Sequence, residues 1–200
     1  MKKPCYFFLI PLLIFNSITY AQDDTSNFYE SDLFGGAVDE ITILPVVDNR
    51  MSKHLDSKLG FEPDFANELR AKVSGEMIAI KGFKIRNVDN YGGHSSVSNR
   101  DMQNPGKNWV RKLGPENSLF NLVLVMSDTK KIPQGRFPGE IKLSAYIFNK
   151  KDGSMVWKNS QVVEITDNGK TAGFMHDYQD IVYALRVGVP RLMGQIPEIK

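Results

Sequence analysis

The side chains best suited to chemistry are sparse and scattered. His54, His94 and His176 are the only histidines and Cys5 the only cysteine, and none stands at a metal-ligand spacing from another. His54 and His94 lie in polar stretches, where an imidazole is ordinarily solvated. The chain has no Gly-rich loop ending in Lys-Ser/Thr, no G-x-S-x-G and no H-E-x-x-H, so the common phosphate, acyl-transfer and zinc-hydrolase signatures are missing. Asp48-Asn49-Arg50 is more suggestive because it ends an apolar, β-rich run. Ligands collect at the carboxyl ends of strands in open α/β sheets, and the same triplet also makes a turn that caps a strand. An enzymatic or small-ligand alternative would draw on Asp48, His54 and His94. Lys130, Lys131 and Arg136 form a small basic cluster near Lys142, of the kind that keeps a sheet edge solvated and unpaired. Phe28, Tyr29 and Phe34 are aromatics in an acidic stretch, and aromatics on a flexible arm become buried anchors when they meet a groove. Phe28, Tyr29, Phe34, Asp48, Asn49 and Arg50 are therefore the expected partner-binding residues, with no catalytic residue, cofactor or metal.

The first 21 residues carry an address. Lys2 and Lys3 precede a largely apolar run at 6–18, and Thr19 and Ala21 are the small residues before Gln22. That layout reads as a signal peptide at 1–21, cleaved after Ala21; as a membrane anchor the run is shorter than the roughly 20 residues a spanning helix needs. The whole chain has 25 Lys+Arg against 23 Asp+Glu. Removing two lysines leaves 23 of each, so the exported protein would be formally neutral, without the basic excess that attracts nucleic acid. It would also lose Cys5, leaving no thiolate site and no disulfide, which favours a bacterial envelope space over animal secretion. No later segment is long enough to span a membrane.

Residues 22–39 are polar and acidic, ending in Gly35 and Gly36, and read as a flexible arm. Residues 40–200 have the length and apolar share of one α/β domain. Residues 41–47 predict a strand in which Pro45 must sit at a bulge, an end or an open side. After a loop at 50–62, Phe65, Leu69, Val73, Met77 and Ile80 place one apolar stripe on a helix starting at Pro63 and ended by Gly82. A strand at 83–88 then completes a βαβ unit. Residues 91–107 hold too few apolar groups to bury and read as a long loop. A short helix carries Trp109, Val110 and Leu113, and 119–126 is a central strand covered on both faces. Residues 132–139 are turn-rich. Ile141, Leu143, Ala145 and Ile147 alternate with Lys142, Ser144, Tyr146 and Phe148, and Asp152-Gly153 turns the chain into a return strand through Val163 and Ile165, an antiparallel hairpin. A helix from about Ala172 has a stripe of Phe174, Tyr178, Ile181, Leu185 and Val189, with Asp177 and Asp180 near its positive end. Pro190 should kink or stop it. Trp109 and Trp157 are the expected core anchors. The fold class is mixed α/β around one mixed sheet.

Ile-Thr-Ile-Leu-Pro-Val-Val-Asp-Asn-Arg at 41–50, the helix from Pro63, Gly82-Phe83-Lys84-Ile85, the strand at 119–125, and Ala145-Tyr146-Ile147-Phe148 followed by Lys151-Asp152-Gly153 and Val156-Trp157-Lys158 together resemble the TolB amino-terminal-like domain. The resemblance covers about 38–195. It implies an α/β fold found in envelope proteins, including the curli secretion lipoprotein and other outer-membrane assembly lipoproteins. It also implies a non-catalytic periplasmic part that binds other envelope proteins or itself, often in rings or secretion assemblies. Such lipoproteins carry a cysteine at the cleavage site, where this chain has Ala21 and Gln22. One geometric question separates the readings. Convergence of the 50–62 and 91–107 loops with Asp48 into one deep pocket would favour a ligand site, and a shallow spread would favour a partner surface.

Overall fold

Residues 120–126 are apolar apart from Asn121 and are buried without interruption, which places their strand inside a sheet covered on both faces. In the computed structural model, which describes residues 28–29, 40–51, 53, 64–79, 82–129, 140–164, 174–194 and 196, that strand is β5 (Phe120–Asp128). The others are β1 (Phe28–Tyr29), β2 (Glu40–Ile43), β3 (Val47–Asp48), β4 (Lys84–Asn87), β6 (Glu140–Asn149) and β7 (Ser154–Glu164). Four helices accompany them: α1 (Phe65–Ala79), α2 (Asn99–Gln103), α3 (Lys107–Lys112) and α4 (Phe174–Met193). The strand order is β1-β7-β6-β5-β2-β4, with β3 pairing β5 beyond β2. The class is mixed α/β: β2 runs parallel to β4 and β5, while β5, β6, β7 and β1 run antiparallel in turn.

β2 and β3 are one strand broken at Leu44-Pro45-Val46. Ile43 stands opposite Leu122 and Val47 opposite Val125, so one side of the ladder has an extra residue where Pro45 cannot donate. α1 follows and returns the chain to β4, giving the expected βαβ unit. Asp64 starts α1 by accepting the Asn67 amide at 3.0 Å, an N-cap contact, and Gly82 leaves it at φ 76°. Ile80 lies outside the described residues.

The β6–β7 hairpin turns at Asp152-Gly153, with Gly153 at φ 76°. Its register shifts after the Ile147–Trp157 pair, because Phe148 stands opposite Met155. Val156 is the extra residue, and the bulge lets Val156 and Trp157 both reach the same core. That core lies between one sheet face and the helices α1 and α4: Phe65, Leu69, Val73 and Met77 from α1 and Leu185, Val189 and Leu192 from α4 meet Ile41, Leu122, Leu143 and Trp157. The opposite face carries a second cluster, in which Val123, Val125 and Phe148 meet Val97, Met102, Val110 and Leu113.

Three expectations are corrected. The 91–107 segment is no plain loop: it contains α2 and buries Val97 and Met102. Ser98 and Asp101 form the cap, the carboxylate accepting from the Ser98 amide at 2.8 Å and hydroxyl at 2.7 Å, so two apolar side chains suffice to hold one helical turn on the sheet. Of the expected kink or stop at Pro190, the stop is overturned, because α4 continues to Met193. The proline removes one donor in the last turns, and buried Leu192 and Met193 hold those turns by packing. Trp157 is fully buried as expected, but Trp109 is only half-buried.

Candidate functional site

Asp48-Asn49-Arg50 folds back on itself at the end of β3. The Asp48 carboxylate accepts the Arg50 amide and Nε, each at 3.0 Å, and Nη2 at 2.7 Å. Arg50 is 2% exposed, and its guanidinium lies 5.1 Å from the centre of the Phe65 ring. The Asn49 amide donates to the Met126 carbonyl at 2.8 Å. A two-point ion pair packed on an aromatic joins the strand end to the start of α1. The triplet is a strand-capping turn whose carboxylate is held by its own neighbour.

A second internal cation does similar work nearby. Arg70 reaches Asn87 Oδ1 and Asp89, each at 3.1 Å, and the carbonyls of Ile43 and Val88, fastening α1 to the ends of β2 and β4. The apolar stripe of α1 gives no hint of this arginine.

His94 is not a solvated loop histidine. Its ring stacks on Trp109 with centroids 4.7 Å apart, and Nε2 lies 2.9 Å from the Trp109 carbonyl oxygen. Trp109 meets Phe148 edge-on at 6.4 Å, and Phe148 stacks with Tyr146 at 6.4 Å. This aromatic row fixes the 91–113 segment to the sheet. Asp48 contributes nothing to it. His54, Phe34, Lys130, Lys131, Arg136 and the 54–62 stretch lie outside the described residues.

A cleft of about 290 Å³ opens on the second face of the sheet. Its floor is a two-strand patch in which Ser144 faces Ser160 and Tyr146 faces Lys158, with Lys142 one step further along β6. Ser144 and Ser160 share a hydrogen bond of 2.8 Å between their hydroxyls. Asn99, Met102 and Gln103 of α2 make one wall, and Met155 and Ser127 complete the lining. Among the described residues, Lys142 and Lys158 are the charged side chains lining it. The cleft receives α2 from the 91–107 segment but neither Asp48 nor Arg50, so among the described residues Asp48 and that segment do not meet in one pocket.

The turn beneath this face is firmly held. Lys150 donates to the carbonyls of Gly114 at 2.8 Å and Pro115 at 2.6 Å, and burial pushes its pKa below the usual lysine value. Gly114 sits at φ 72°, where an added Cβ would meet Asn121, whose Nδ2 donates to Leu113 at 2.8 Å. At the hairpin tip, burial raises the Asp152 pKa, but hydrogen bonds from the Ser154 hydroxyl and amide and the Lys107 charge bring it below the ordinary carboxylate value.

At the outer edge of the same hairpin, β1 pairs antiparallel with β7, Phe28 opposite Lys158 and Tyr29 opposite Trp157. β3 is four strand positions away across the sheet, about 19 Å at 4.8 Å per strand. The expected partner-binding residues that are described therefore fall into two places that do not meet, the β1 edge and the Asp48–Arg50 corner. The cleft residues were missed as a group. Their signal was the alternation of Lys142, Ser144 and Tyr146 on β6, and what the sequence lacked was the register that adds Lys158 and Ser160.

No family model and no curated protein matches the chain. Solved structures similar to it include a protein from Xanthomonas campestris (TM-score 0.47, 10% identity, covering 84% of this chain and 88% of that one). The PelC dodecamer from Paraburkholderia phytofirmans gives a TM-score of 0.41 at 10% identity, covering 78% and 88%. The LpoB C-terminal domain from Salmonella enterica gives 0.38 at 10% identity, covering 65% and 86%. At such distances function has to come from this chain's own sites.

Proposed function

We propose that the protein is a non-catalytic interaction module of the bacterial cell envelope, exported to the periplasm by cleavage after Ala21, and that it assembles through its N-terminal arm. In this reading residues 22–39 are the arm and 40–200 the domain, in line with the resemblance to TolB amino-terminal-like domains. The supporting observation is that, among the described residues, β1 pairs with two of the eleven residues of β7. A two-residue ladder is marginal by itself, and the edge it touches is long enough to accept more strand.

The occupant is the arm of a second copy. Ten residues separate β1 from β2 and can extend to about 33 Å. That exceeds the roughly 19 Å across β7, β6 and β5, so the arm can reach its own β7 or a neighbour's. Exchanging an identical strand between copies costs little. The alternative of a hydrolase or ligand site around Asp48 and His54 loses support, because Arg50 already occupies the Asp48 carboxylate.

Deleting residues 22–36 from the exported chain tests this reading. The expected outcome is an unchanged melting temperature with loss of self-association or partner recovery, read by light scattering and crosslinking. Equal assembly of the truncated protein would refute it.

A further inference from the structure

The sheet has a second edge, on the side opposite β1. Among the described residues β4 is the last strand there, paired only with β2. The Val88 amide donates to the Ile43 carbonyl at 3.1 Å, so alternation along the ladder turns the N–H and C=O groups of Ile85 and Asn87 away from β2. We propose that this edge takes up an extended peptide segment of another protein, one in which a carboxylate side chain stands next to an apolar one. The proposal does not depend on how the N-terminal arm assembles.

The side chains on the two faces of this edge set that chemistry. Arg86 stands opposite Thr42, and Thr42 opposite Asn121, which puts Arg86 on the second face. Its Nη2 donates to the Asn117 side-chain oxygen at 2.8 Å, and its Nε is buried without a hydrogen-bond partner. Among the described residues the guanidinium therefore has a neutral amide as its partner, where its planar fork suits a carboxylate. On the first face, Ile85 stands opposite Ile41 and packs on the core. Arg70 and Ser74 of α1 both reach Asn87, and Ile78, one turn further along the same stripe, continues toward the start of β4. The Phe83 amide donates to the Met77 carbonyl at 3.1 Å there. Ile78 is 55% exposed, an apolar side chain in the open beside an unpaired strand edge. A strand added to β4 alternates its side chains between the two faces. The residue opposite Arg86 falls on the guanidinium side, and its neighbour opposite Ile85 falls on the Ile78 side. Main-chain bonds then supply affinity and the alternate side chains supply selectivity. β4 spans four residues, about 13 Å, so the segment is short.

The probe is the end-blocked peptide Thr-Val-Glu-Val-Thr, titrated into isotope-labelled protein at low salt. The expected result is saturable amide shifts at Ile78, Ile85, Arg86 and Asn87, with binding that weakens as salt is added. The analogue Thr-Val-Gln-Val-Thr should bind about tenfold more weakly, the scale of one charge-assisted contact. The Glu peptide N-methylated throughout, which cannot pair as a strand, should not bind. Arg86→Gln should bind the Glu and Gln peptides equally, while Arg86→Lys keeps part of the preference. Comparing two peptides on one variant separates the contact from any loss of stability. Absence of shifts at β4, shifts centred on β7, equal binding of the Glu and Gln peptides by the unmutated protein, or binding of the methylated peptide would each overturn the proposal. So would β4 shifts that follow protein concentration without peptide, which would make a second copy the occupant.

Discussion

The two faces of this sheet are built from the same strands and used differently. On β6, Ile141, Leu143, Ala145 and Ile147 point to the face sealed by α1 and α4, while Lys142, Ser144 and Tyr146 line the cleft on the other. The first face is covered by helices of 15 and 20 residues. The second is covered by α2 and α3, of five and six residues, which pack with Val47, Val123, Val125 and Phe148, and it opens at the cleft over β6 and β7. Period-2 alternation thus lets one hairpin seal a core with one face and line an open cleft with the other. A site laid on strands held from behind by a dense core is also better fixed than one carried on loops.

The largest expected break in that comparison is Trp157→Ala. It empties the largest fully buried side chain of the first face and should cost about 3–5 kcal/mol in chemical denaturation. Met102→Ala makes the matching change on the second face. It should cost about 2 kcal/mol, at the low end for a buried methionine because a one-turn helix can settle into the space, and it should perturb the cleft more than the helix-covered core in amide shift maps.

Acid should separate the hairpin tip from both cores. Asp152 has a folded-state pKa below its ordinary value, so its contribution is present above that ordinary value and is lost as the pH falls through the lowered one. A small loss of stability below about pH 4 should therefore be reduced in Asp152→Asn, measured by denaturation across pH 2.5–7. The smallest effect is expected for His54→Ala, which should leave stability and partner recovery nearly unchanged. A large functional loss in that folded variant would revive the enzymatic reading.

Legibility in the sequence followed how locally each element is determined. The hairpin and α1 were readable because alternation, a Gly turn and a helical stripe lie within single stretches of chain. The break at Pro45 was readable because a missing donor has few places to go. The 91–107 segment was misread because its burial depends on only Val97 and Met102, although Ser98-x-x-Asp101 carried a capping signal. Asp48-Asn49-Arg50 was located correctly at a strand end, but the burial of Arg50 against Phe65, fifteen residues further on, is not a local property. The cleft needed a cross-strand register and the position of α2, and neither is a local property. Lys142, Ser144 and Tyr146 were visible as one face of a strand, and Lys158 and Ser160 joined them only through pairing.

The central claim is that the arm of one copy pairs with β7 of another, and paired single-cysteine variants test it directly. Phe28 and Lys158 stand opposite each other in the ladder, at a spacing a disulfide can bridge. A chain that starts at Gln22, without Cys5, offers no competing thiol. Mixing Phe28→Cys protein with Lys158→Cys protein under mild oxidation can join positions 28 and 158 only between chains. The account predicts a disulfide-linked heterodimer in the mixture that exceeds the dimer formed by either variant alone. It would be contradicted if the mixture gave no such excess while the double variant closed its disulfide within single chains.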